Sequence, residues 1–140
     1  MFTNVQAYVS KIITDLEAAN LIPGVNVSND EPLELVYSDL PNITVIPTTE
    51  DFVYDDSSNS SDMKELNISI QLRMQGSPAT TLCSPVINQI VSTLRNDAML
   101  GSQNTVYVEF GNLSFANDRI SDGKVCGASL DIKIRYYAME

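Results

Sequence analysis

Two stretches of strict alternation constrain this chain more than anything else in it. From Leu66 to Met74, the apolar residues Leu66, Ile68, Ile70, Leu72 and Met74 alternate with Asn67, Ser69, Gln71 and Arg73. Near the carboxy terminus, Ala128, Leu130, Ile132, Ile134 and Tyr136 alternate in the same way with Ser129, Asp131, Lys133, Arg135 and Tyr137. Successive side chains of a strand point to opposite faces, so each stretch predicts a long strand with one dry and one wet face. If the two strands are neighbours, cross-strand pairs such as Arg73 with Asp131 are expected on the wet face.

Two helical stripes supply the cover for the dry face. Phe2, Val5, Val9, Ile12, Ile13 and Leu16 recur at helical spacing, Thr3 and Gln6 have the form of a capping box, and Asn20 with Pro23-Gly24 ends the run. Val86, Ile87, Ile90, Val91 and Leu94 predict a second helix from about Thr81 to Asn96, with Pro85 in its first turn. Between the helices, Ile43 to Ile46 reads as a short buried strand bounded by Pro47, with Phe52 to Tyr54 as its continuation. Glu34 to Tyr37 reads as a short strand among the loop formers Asn26, Asn29, Asp30 and Pro32. Val106, Val108 and Phe110 predict a short strand, Leu113 to Ala116 a further piece, and Ser121-Asp122-Gly123 a turn. The expected fold class is α+β, a mainly antiparallel β-sheet with two amphipathic helices packed on one face, in a single domain spanning residues 1–140. The polar tract from Asp55 to Asp62 has nothing to bury and is expected to be a mobile, solvated loop.

Charge and composition exclude several function classes. With 18 acidic against 8 basic residues the net charge is −10, which disfavours neutralising a phosphate backbone and hence specific nucleic-acid binding. No apolar run approaches the length of a membrane span and no signal-like leader is evident, so a cytoplasmic origin without membrane contact is expected. Cys83 and Cys126 lack metal-ligand spacing and read as reduced, partly buried thiols. The chain has no histidine, so a Ser–His or Cys–His nucleophile cannot be built from it, and no phosphate-binding glycine motif is present. Neither catalysis nor a cofactor or metal is expected. Asp55, Asp56 and Asp62 lack the ligand spacing of a calcium loop and fit a solvated acidic tract better. A small-molecule or carboxylate-based enzymatic site is the alternative from another class. It requires a pocket that unites at least two of Glu31, Glu34, Glu50, Asp51 and Glu109. The residues best suited to an interaction surface are Phe52, Tyr54, Asp55 and Asp56 around the acidic tract, with Arg73, Lys133, Arg135 and Tyr137 on the wet sheet face.

Order, length and patterning together resemble the tail terminator, or tail completion, proteins of long-tailed bacteriophages, also called minor tail protein U-like. Four segments carry the likeness: the helix near Met1; Leu40-Pro41-Asn42-Ile43-Thr44-Val45-Ile46-Pro47; Glu65 to Gly76 with the helix that follows it through Leu94 and Asp97 to Gly101; and the closing strand from Gly127 to Tyr137. The resemblance implies a virion assembly protein made in the host cytoplasm. It implies a homo-oligomeric ring, typically a hexamer, that caps the head-proximal end of the tail tube, ends polymerisation and presents the surface joined by the head–tail connector. The tail tube protein and the connector are then the partners, and DNA passes through the lumen without specific binding. A connector, neck or tube subunit is the nearest alternative within assembly.

Overall fold

The computed structural model describes residues 4–29, 40–52, 63–120 and 123–137. In chain order they form α1 (Asn4–Ala19), β1 (Asn26–Ser28), β2 (Asn42–Phe52), β3 (Met63–Gln75), α2 (Ala79–Arg95), β4 (Thr105–Ile120) and β5 (Gly123–Tyr137). The five strands make one sheet in the order β1-β2-β3-β5-β4, antiparallel except for the β1–β2 pair. This is the expected α+β class.

The two alternating stretches are β3 and β5, and they pair with each other along their whole length, from Met63↔Tyr137 to Gln75↔Val125. That register sets Leu66 opposite Ile134, Ile68 opposite Ile132, Ile70 opposite Leu130 and Leu72 opposite Ala128. All eight are buried, in one cluster with Tyr8, Val9, Ile12 and Leu16 of α1 and Val86, Ile87, Ile90 and Leu94 of α2. Helix α1 packs over β1 and β2, while α2 packs over β3, β5 and β4. Among the described residues no helix is long and apolar enough to cross a membrane.

Helix α1 stops where the sequence indicates. Asn20 adopts φ 50°, a left-handed cap conformation that asparagine tolerates. Ile22 to Val25 then forms a tight turn, with a Val25 N–H to Ile22 carbonyl bond of 3.1 Å and Gly24 at φ 76°. The capping box cannot be compared, because Thr3 lies outside the described residues. So do the strand expected at 34–37 and the tract at 55–62.

Five expectations change. Strand β2 does not stop at Pro47 but continues to Phe52, with a register shift between Pro47 and Thr49. Its pairing with β1 ends at Ser28↔Thr44, so among the described residues it is an edge strand beyond Thr44, where a residue without an N–H costs no ladder bond. Asn26 belongs to the parallel strand β1 rather than to a loop. Helix α2 starts at Ala79, which moves Pro85 out of the first turn and removes the rung to the Thr81 carbonyl. Val106 to Phe110 and Leu113 to Ala116 are not two pieces but parts of the single strand β4, interrupted by register shifts at Thr105/Tyr107 and Phe110/Leu113. Finally, Arg73 faces Gly127 while Asp131 faces Ser69, so the expected Arg73–Asp131 pair is replaced by these two.

Ile70, fully buried between Val45 and Leu130, tests the core directly. Ile70→Ala is expected to cost about 2–5 kcal/mol in urea unfolding, with the denaturant slope unchanged.

Candidate interaction surface

The alternation that buries one row of β3 and β5 aims the other row outward, and that outer face gathers most of the polar side chains singled out above. Its best-defined part is at the end of the sheet where β5 finishes. Glu65 and Arg135 are directly opposed across the β3–β5 ladder, and Arg135 Nη2 donates to Glu65 Oε2 at 2.7 Å. Lys133 Nζ lies 3.5 Å from Glu65 Oε1, so one carboxylate is shared between two cations. Arg135 also lies over the Tyr107 ring of β4, 5.1 Å from its centroid. The hydrogen bond from Arg135, with the Lys133 charge beside it, holds the Glu65 carboxyl below its ordinary range, and the same bond raises the Arg135 guanidinium.

The remaining outer row is tied by neutral bonds. Asn67 Nδ2 donates to Thr49 Oγ1 at 2.8 Å, and the Ser69 and Ser129 hydroxyls meet at 3.1 Å. Two shallow hollows open on this face. One, of about 220 Å³, lies among Gln71, Arg73, Ser114, Ala116 and Ser129 with Gly127 as its floor. A Cβ on Gly127 would come within 3.0 Å of the Leu72 carbonyl, so a side chain there would push β3 away. The other, of about 280 Å³, lies beside the bulge at Gly111, between Glu109, Asp131 and Lys133.

On the helix-covered face, the same end of the sheet carries a polar chain that runs from the exposed Glu50 to the buried Tyr136, Tyr8 and Thr105. Tyr136 donates its hydroxyl to Glu50, which also lies 3.7 Å from Lys64. Burial and the Glu50 carboxylate push the Tyr136 phenol above its ordinary value. The Tyr136 and Tyr8 rings pack with centroids 5.1 Å apart. Thr105 Oγ1 donates to the Met99 carbonyl at 2.8 Å, so at the 2.7 Å contact the Tyr8 hydroxyl is the donor to Thr105.

Of the residues singled out from the sequence, Phe52, Lys133, Arg135 and Tyr137 fall toward this one end, in register with Lys64, Asn67, Glu65 and Met63 of β3. Phe52 and Tyr137 are exposed, and Lys64 Nζ stands 5.1 Å from the Phe52 ring. Arg73 sits at the opposite end of β3. Tyr54, Asp55 and Asp56 lie outside the described residues. Of the carboxylates of the enzymatic alternative, the described ones are spread over the sheet, Glu50 and Asp51 on β2 and Glu109 on β4 with β3 and β5 between them, while residues 31 and 34 lie outside the described residues. Among the described residues no three His, Cys, Asp or Glu side chains gather as a metal site.

Three arrangements escaped the sequence reading. Cys83 of α2 and Cys126 of β5 are fully buried with their sulfurs 3.7 Å apart, and burial pushes the Cys83 thiol up to about 12. Asn117 of β4 accepts from the Ala79 N–H at 2.7 Å and so caps α2 from outside the helix. Lys11 bridges Asp15 at 3.2 Å and Asp97 at 3.4 Å, tying α1 to the segment after α2. The sequence signals for these are the pair of cysteines and the i,i+4 spacing of Lys11 and Asp15; nothing in the sequence marks the Asn117 cap or the reach of Lys11 to Asp97.

No family model matches the chain, and no curated protein matches it either. Among solved structures, a chain from the virion of a native gene transfer agent particle is similar over 91% of this chain and 92% of that one, with a TM-score of 0.54 and 13% identity. The core domain of a protein from Akkermansia muciniphila aligns over 99% of this chain and 90% of that one, at 6% identity and a TM-score of 0.40. The first likeness shows a shared fold, and the second is too distant to carry an argument.

The Glu65–Arg135 contact gives a signed pH dependence. A depressed carboxyl pKa contributes stability that is full above the ordinary value of 4.5 and is lost as pH falls through the depressed one. Glu65→Gln is therefore expected to lower the thermal midpoint at neutral pH, and the gap from the unaltered protein should close as the solution is acidified below that range.

Proposed function

We propose that the chain is a structural component of a phage-like virion, and within that class a tail terminator. It would form a homo-oligomeric ring on the head-proximal end of the tail tube, end tube growth and offer the face to which the head–tail connector binds. The observation that carries this reading is the fold shared with a gene transfer agent virion chain along nine-tenths of both chains. It joins the four-segment resemblance to tail terminators noted in the sequence. The chemistry is that of contact rather than turnover. Polar side chains of the outer sheet face are held in place by one another, a feature suited to a surface that must meet a partner without rearranging. A ring needs two different complementary patches on each subunit, which an asymmetric sheet with unlike edges provides. The excess of acidic residues keeps DNA from adhering as it passes the lumen.

Native mass spectrometry with negative-stain imaging, over a range of protein and Mg²⁺ concentrations, tests the proposal. Closed rings of uniform size that do not stack are expected. Open filaments would instead assign the chain to a tube subunit. A protein that stays monomeric and binds a small carboxylate-recognising ligand would contradict the assembly reading.

A further inference from the structure

Charge is unevenly distributed along this chain. From Met74 to Asn117 the only charged residues are Arg95, Asp97 and Glu109, although the whole chain carries 18 acidic and 8 basic residues. The fold collects this segment on one flank. It comprises α2, the connection after it and most of β4, and α2 is held beside β4 at both ends. Asn117 caps Ala79 at the start of the helix, and Arg95 at its end lies 5.4 Å from the Phe110 ring centroid. The outward residues of α2 are neutral until Arg95: Thr80, Thr81, Pro85, Asn88, Gln89 and Ser92 are all exposed.

The same flank carries exposed apolar side chains and an edge of the described sheet. Met99, Val106, Leu113 and Phe115 are among the six large hydrophobic residues exposed in the described part, and all four lie on β4 or the connection leading into it. Among the described residues, strand β4 has a neighbour on one side only. The opposite edge among the described residues, β2 beyond Thr44, carries Pro47, a register shift and the pair Glu50-Asp51. These are devices that discourage pairing. After its own bulge, β4 runs from Leu113 to Asn117 with neither a charge nor a proline.

We propose that the α2/β4 flank is the surface through which a second copy of this chain docks, with β4 as the strand it lies against. The identity of the occupant follows from charge. Two copies that each carry a net charge of −10 repel one another as wholes, and the contact that adds least to that repulsion is the segment from Met74 to Asn117, whose charges are Arg95, Asp97 and Glu109 alone. A basic partner would gain more elsewhere, on the acidic part of the chain, and has no reason to select this flank. Unpaired backbone groups of β4 supply direction, Leu113 and Phe115 supply apolar area, and the neutral face of α2 flanks the contact. The inference rests on the proposed homo-oligomeric role and names the surface that role would use.

The test compares sedimentation velocity of the full chain with that of two double variants, from micromolar to millimolar concentration. Leu113→Glu with Phe115→Glu places charge on the edge; Ala7→Glu with Ser10→Glu places the same charge on the exposed face of α1. Self-association is expected in the unaltered protein and in the α1 variant, and to be about tenfold weaker or more in the β4 variant, with circular dichroism unchanged. Should the β4 variant fail to fold, Met99→Glu with Val106→Glu replaces it. Equal association of all three proteins, or a monomer throughout, overturns the flank assignment. Rings that persist in the β4 variant overturn the flank but leave the ring reading intact. Dimers that never close, and that the β4 substitutions abolish, support the flank and contradict the ring.

Discussion

The pairing of β3 with β5 is the contact on which the other features of this protein depend. Two strands of near-equal length lie in register from end to end, so the apolar rows of both form one continuous dry surface and the polar rows one continuous opposite face. A slip of a single residue would exchange the rows and expose the core, which is why the register is so strongly specified. The helices have one place to go, over the dry rows. Glu65 meets Arg135, and Ser69 meets Ser129, because the same register brings the wet rows together. The fold and the candidate surface are two faces of one ladder.

The sheet's edges give the molecule its asymmetry. On one side, among the described residues, β1 pairs with only the first three residues of β2, and the rest of that edge carries Pro47 and the charges of Glu50 and Asp51. On the other, β4 is long and is the last strand of the described sheet, beside a helix whose outward face is uncharged until its last residue. A chain so acidic overall needs a neutral region if it is to meet itself, and the segment from Met74 to Asn117 supplies one. The role proposed for the protein needs that kind of division between a surface that repels and one that admits a neighbour.

Features that follow from local periodicity could be read in the sequence. Both long strands, the stripe of α2, the end of α1 at Asn20 and the α+β class are of this kind. Features decided by a neighbour could not. Pro47 looks like a strand end until β2 is seen to run through it, beyond the reach of β1. Pro78 looks like a poor helix start until Asn117 of β4 is seen to supply the cap. Asn26 has no alternation to mark its three-residue strand, which is held by parallel pairing to Asn42–Thr44. The candidate surface was legible in part. Lys133, Arg135 and Tyr137 were placed on the correct face by alternation, but Glu65, which organises two of them, was missed because only the structure gives its register with Arg135.

Residue-resolved hydrogen exchange on dilute protein tests most directly whether the β3–β5 ladder is the rigid scaffold and β4 the open edge. Amides from Ile68 to Leu72 and from Leu130 to Ile134 are expected to exchange only through global unfolding, while the outward amides between Leu113 and Asn117 exchange orders of magnitude faster. Equal protection of β4 and β5, or rapid exchange within β5, would contradict the account.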